Sequence, residues 1–120
     1  MKYKASIESK EIVKKDYSKR IILSLEDFKE KGHLLQTVTI PANTKQRKHF
    51  HHKQTEVFYI LDGETVININ DIDYLAKPGD AFICEPEDKH FLWNKSDKEF
   101  KLVVFKINLE ENSEDTEWSE

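Results

Sequence analysis

The side chains able to do chemistry in this chain are concentrated between Lys48 and Gly63. That stretch holds His49, His51 and Glu56, and His90 and Asn94 follow further on. Three imidazoles and a carboxylate that converge make a donor set for a divalent metal ion, because neutral ring nitrogens and a carboxylate oxygen suit the same cations. Taken alone, the pair His49 and His51 carries little. Histidine pairs also occur on solvated strands, and Glu56 can be no more than a strand-entry residue.

The spacing dictates what must position these groups. Side chains alternate faces along an extended strand, so His49 and His51 point one way and Phe50 the other. Glu56 has the wrong parity to join them on one unbroken strand. The polar run His52-Lys53-Gln54-Thr55 predicts a turn. A new strand from Glu56 to Leu61 can then aim Glu56 back at the two histidines. Phe58 and Ile60 share its face, and Val57, Tyr59 and Leu61 take the other. Both faces are largely apolar, which predicts a strand covered on both sides. A carboxylate buried there is costly unless paired or metal-bound. His52 points away from His51 if the strand is regular, and His33 reads as a surface residue.

The remaining chain supplies the scaffold. Tyr3 to Glu8 reads as a short edge strand and Ile21 to Leu25 as a better one. Glu26 to Lys31 suits a single helical turn or a loop, ending at Gly32. His33 to Ile40 is strand-like and rich in β-branched residues, with Leu34, Gln36, Val38 and Ile40 on one face. Gln36 either lines a pocket or reaches water at an edge. In the turn Pro41 to Thr44, Asn43 can tolerate positive φ. Further strands are expected at Glu64 to Ile69, Ile72 to Ala76, Ala81 to Cys84, His90 to Asn94 and Lys98 to Leu109. About eight or nine short strands separated by turns, with almost no helical periodicity, predict an all-β sandwich or barrel.

Composition narrows the class. At 120 residues the chain fits one domain, and 35% charged against 38% hydrophobic residues suits a soluble fold with a charged exterior. The single cysteine, Cys84, cannot form an internal disulfide and reads as a small core residue, which fits a reducing compartment. No targeting segment is visible, and the longest apolar run, Val57 to Leu61, is too short to span a membrane. A cytoplasmic location with no membrane partner is the expectation. The tail from Glu110 to Glu120 carries six acids and no Lys or Arg, within a net charge of −4. It reads as frayed or disordered, with Trp118 unexplained unless it docks on a neighbouring subunit. Lys45, Arg47, Lys48 and Lys53 cluster around the histidine strand. At the mouth of a barrel, Arg47 and Lys48 would draw a carboxylate, phosphate or sugar phosphate. The alternative is a solvated basic loop. A patch this small on an acidic chain, with no accompanying motif, argues against nucleic acid.

These residues resemble a known family. His49-x-His51, four residues, Glu56, six residues and Gly63 is similar to the first motif of the cupins. Gly79, ten residues, His90, three residues and Asn94 is similar to their second. The pattern departs in two places. Asn43 stands where the family has a glycine ahead of the first histidine. In the second motif, Glu85, Pro86 and Glu87 replace Pro-x-Gly, so the loop into His90 is expected to differ in shape.

The resemblance implies a double-stranded β-helix, or jelly-roll, barrel over residues 33–109. Residues 1–32 would be a lead-in with one or more strands packing on the barrel, and 110–120 an acidic tail. It also implies that His49, His51, Glu56 and His90 bind one divalent ion (Fe, Mn, Ni, Co, Cu or Zn) inside the barrel, with open positions for water or substrate. Asn94 would be structural rather than a ligand. Phe58, Ile60, Leu92 and Gln36 would shape the pocket, and a homodimer is expected. The family covers isomerases, dioxygenases, decarboxylases and ligand-sensing modules, so fold leaves the reaction open. One reading is a metal-dependent enzyme acting on a small anionic metabolite, as an isomerase or an iron-dependent dioxygenase. The other is a module that binds or senses such a molecule without turnover. No catalytic residue beyond the metal ligands is identified.

Overall fold

The computed structural model describes residues 1–110 and 115–119. The strands are β1 (Glu11–Val13), β2 (Ser18–Leu23), β3 (Leu34–Ile40), β4 (Thr44–Lys45), β5 (His49–His51) and β6 (Thr55–Asp62). They continue with β7 (Thr65–Ile69), β8 (Ile72–Ala76), β9 (Ala81–Cys84), β10 (His90–Asn94), β11 (Phe100–Ile107) and β12 (Thr116–Trp118). One antiparallel sheet runs β1-β2-β3-β11-β6-β9, and the other runs β12-β5-β10-β7-β8 with β4 also paired to β10. Side chains from both sheets meet in one core. Val38, Ile40, Phe58, Ile60, Phe100 and Leu102 come from the first, and Ile67, Ala76 and Leu92 from the second. This is an all-β jelly-roll barrel.

Turn chemistry closes the hairpins. Asn70 and Asp71 both take positive φ, 51° and 67°, which suits the two-residue turn between β7 and β8. Asn43, at φ 53°, adopts the conformation a glycine would take there. Gly63 is required for two reasons: its φ is 84°, and a Cβ would sit 2.9 Å from the Glu99 carbonyl oxygen. Asn94 is fully buried and pins the barrel's end. Its side-chain nitrogen donates toward the carbonyls of Ile40 (3.2 Å), Pro41 (3.0 Å) and Lys98 (2.7 Å), and its oxygen accepts from Ser96.

Several expectations are corrected. Tyr3 to Glu8 is not a strand. Ser6–Glu8 is a 3-10 turn, with the Glu8 carboxylate accepting from the Ala5 amide, and the edge strand is β1 instead. β6 is covered on one face only, because Tyr59 and Leu61 are 47% and 46% exposed within the single chain. His33 is half-buried between the rings of Phe28 and Phe105. The described part of the tail is not frayed, since β12 pairs antiparallel with β5. Residues 111–114 and 120, which belong to the same expected flexible tail, lie outside the described residues. Among the described residues, no helix is long and apolar enough to cross a membrane.

Candidate metal centre

The two sheets bring the four expected ligands together. β5 presents His49 and His51 on one face, and β10 sets His90 directly opposite His49. The three imidazoles therefore come from one sheet. Glu56 comes from β6 in the other sheet. His51 Nε2 lies 2.6 Å and His90 Nε2 3.2 Å from Glu56 Oε1. The rings of His49 and His90 are 4.4 Å apart. One ligand atom from each of the four residues lies within 4.8 Å of all the others.

Hydrogen bonds behind the rings decide which nitrogen faces the centre. His49 Nδ1 is 3.0 Å from the Arg47 carbonyl, and His90 Nδ1 is 2.9 Å from the Asp88 carbonyl. A carbonyl only accepts, so both Nδ1 atoms carry hydrogen and donate. Each neutral ring then turns a bare Nε2 lone pair inward, which is the tautomer a metal ligand needs. His51 is held differently, with Nδ1 3.0 Å from Thr116 Oγ1 and 3.1 Å from the Gln54 side-chain nitrogen. Gln54 Oε1 is buried with no partner among the described residues. Turning that amide over would set its oxygen against an Nδ1–H and free Nε2 for an ion. The donor set and its supports therefore fit a divalent cation.

Electrostatics agree. Burial pushes the Glu56 carboxyl up, but hydrogen bonds from His51 and His90 outweigh it and hold the group well below the usual carboxylate range. Burial would lower His90, yet contacts with Cys84 and Glu56 raise it to about 10. Burial and the charge of His90 push His49 down to about 4. The buried Glu56 carboxylate thus calls for positive charge beside it. A divalent ion bound there would supply that charge, and its binding would favour neutral imidazoles.

Beside the cluster lies a cavity of about 190 Å³. Gln36, Phe58 and Leu92 line it. Ile60 does not, although its parity is right. It is 1% exposed and belongs to the core, farther along β6 than Glu56 and Phe58. Arg47 reaches the cavity, whereas Lys48 pairs with Asp71 at 2.9 Å and is not among the lining residues. Asp16, Tyr17, Lys19, Lys106, Thr116 and Trp118 also line the cavity and were missed from sequence. A signal existed for Lys106, because strand alternation puts it on the inward face with Phe100, Leu102 and Val104.

The C-terminal strand is part of the site. The Asp115 carboxylate accepts the amides of His52, Lys53 and Gln54 at 3.0–3.1 Å, which holds the turn that brings Glu56 back toward the histidines. His52 stands between Glu87 (3.0 Å) and Glu117 (2.8 Å), and these carboxylates raise it to about 9. Trp118 packs on its own chain, 5.1 Å from the His49 ring and 4.9 Å from the Arg47 guanidinium.

Comparison with known proteins is consistent with this geometry. A family model described as the cupin domain matches residues 36–106. An oxalate-binding protein of Thermotoga maritima is 31% identical over 85 residues, covering 69% of this chain and 70% of that protein. An oxidoreductase of Arthrobotrys oligospora is 34% identical over 73 residues, which cover 60% of this chain but only 29% of that longer protein. In three dimensions, a Thermotoga maritima protein described as a predicted oxalate decarboxylase superposes with a TM-score of 0.77 at 24% identity, covering 88% of this chain and 98% of that one.

Proposed function

The chain belongs to the cupin family, and on that footing we propose that it holds one divalent metal ion on His49, His51, Glu56 and His90 and binds a small carboxylate there. The observation that carries this reading is the pair of backbone carbonyls, of Arg47 and Asp88, that fix Nδ1–H on two imidazoles and leave Nε2 as the nitrogen available to the centre. When bound, the ion supplies Lewis-acid polarisation of the ligand's oxygens. The chain's own side chains do the rest. Phe58, Leu92 and Trp118 limit water at the centre, and Gln36 offers a buried amide. Lys19, Arg47 and Lys106 set three cations against the carboxylates of Asp16 and Glu56 on the cavity wall. That balance favours an anion.

Size supports a small ligand. With roughly 30 Å³ per water, 190 Å³ holds roughly six waters and so a small acid of comparable volume. The similarity to an oxalate-binding protein supports the same class. Metal analysis of untagged protein tests the centre. The parent should carry close to one equivalent, and His51→Ala and Glu56→Ala should carry little. Equal, negligible metal in all three would refute it.

A second reading, iron-dependent oxygen chemistry, is favoured only by the similarity to an oxidoreductase. Dioxygen uptake by the iron-loaded protein in the presence of small acids distinguishes it from binding without turnover. Pairing as a homodimer belongs to the same proposal. It is supported by the exposed apolar face of Tyr59, Leu61 and Ile83, and is tested below.

A further inference from the structure

The cavity wall supplied by the Glu56 sheet carries polar groups that no metal would use. Strand register sets their order. Lys106 of β11 lies opposite Glu56 of β6. Gln36 of β3 lies opposite Val104 of β11 and Ile21 of β2. Lys19 of β2 lies opposite Val38 of β3. Paired strands are about 4.8 Å apart, so Lys106 starts one strand from the metal's carboxylate ligand and Lys19 starts three strands away.

Both lysines line the cavity and are half-buried. Among the described residues neither ammonium has an ion-pair or hydrogen-bond partner, and burial together with the charge of Lys106 pushes Lys19 down. Gln36 is 5% exposed, and its Oε1 is buried without a partner among the described residues. The unsatisfied amide is unfavourable until something pairs with it, and two ammonium groups on the same inner wall attract an anion.

We propose that this wall selects a short dicarboxylate, with one carboxylate on the metal beside Lys106 and the other against the Lys19 ammonium. The Gln36 amide, once turned, donates its NH2 to a carboxylate oxygen between the two lysines. This rests on the metal-and-carboxylate reading above and adds which acids the site prefers. A two-carbon diacid would lie wholly at the metal, whereas a longer one reaches Lys19. Lys106 touches the proximal carboxylate and Lys19 only the distal one, so the two residues have separable effects.

Titration calorimetry of the manganese-loaded full chain with succinate and with butyrate tests it. Butyrate keeps the proximal carboxylate and replaces the distal one by a methyl group. Succinate should bind about tenfold more tightly or better, the expected worth of one charge-assisted contact. Lys19→Met should abolish that preference by weakening succinate far more than butyrate, and Lys106→Met should weaken both acids alike. Equal affinities in the parent, or a preference that survives in Lys19→Met, would overturn the dicarboxylate assignment alone. Failure of both acids to bind the metal-loaded parent would instead overturn the carboxylate-on-metal reading, and this assignment with it.

Discussion

Thr116 Oγ1 lies 3.0 Å from His51 Nδ1, so the last strand of the chain touches the imidazole whose other nitrogen meets Glu56. A metal on Nε2 leaves the proton on Nδ1, and that proton needs an acceptor. Among the described residues, the Thr116 hydroxyl and a turned Gln54 amide are in reach. Removing both, in Thr116→Val with Gln54→Leu, should weaken metal binding by about 10- to 100-fold in a chelator competition. Gln54→Glu, which keeps an acceptor, should lose much less. Unchanged affinity in the double variant would show that His51 needs no orienting partner.

Asp115 should act as the latch of that strand, with a defined pH dependence. Burial pushes its carboxyl up, but the amides of Gln54, Lys53 and His52 outweigh burial and hold it below 3.8. A carboxyl depressed by folding adds stability above its unfolded pKa and loses it as pH falls through the folded value. The parent should therefore exceed Asp115→Asn in denaturant midpoint at pH 7, and the gap should close as the pH falls below 3.8. Amide exchange at His52, Lys53 and Gln54 should quicken in the variant at neutral pH. A gap that persists at pH 2 would assign the effect to packing instead.

This latch marks the boundary of what the sequence made legible. Alternation along β5 and the polar run after it were enough to converge His49, His51 and Glu56, because parity is a local property. The carboxylate holding that turn lies 61 residues from Gln54. It sits in a segment whose composition alone suggests disorder, and local composition does not reveal that β5 offers a free edge. Ile60 failed for a related reason, since parity fixes a face but not a depth. Glu87, where the family pattern has glycine, takes a positive φ. Its φ is 76°, so an acidic residue keeps a glycine-like backbone there, with its amide on the His51 carbonyl at 2.7 Å and its carboxylate on His52.

Asn94 should matter for stability and not for metal. Its side chain serves three backbone carbonyls and Ser96 with no solvent exposure. Asn94→Ala leaves those groups without their partner, at about 3 kcal/mol in total, or roughly a 10 °C fall in Tm for a domain of this size. Asn94→Asp should be worse, because it places a carboxylate against carbonyl oxygens. Metal content per folded molecule should be unchanged in Asn94→Ala. A loss of metal without a loss of Tm would reverse the assignment.

The proposed homodimer has a specific face. β6 lies between β11 and β9 within its sheet, yet Tyr59 and Leu61 on it are 47% and 46% exposed, and Ile83 of β9, paired with Val57, is 61% exposed. Apolar side chains clustered on an interior strand and its neighbour form a contiguous patch, and such patches usually meet a partner. Ile72 is nearly as exposed, at 56%, but it stands on β8 at the edge of the other sheet. Sedimentation equilibrium at micromolar concentration should therefore give a dimer for the parent and for Ile72→Glu, and a monomer for Ile83→Glu. A charge introduced at position 83 has no partner in a paired face and must be desolvated there, whereas the same charge on β8 stays in water. A dimer that survives Ile83→Glu but breaks with Ile72→Glu would move the interface to the other sheet, and a monomeric parent would remove it.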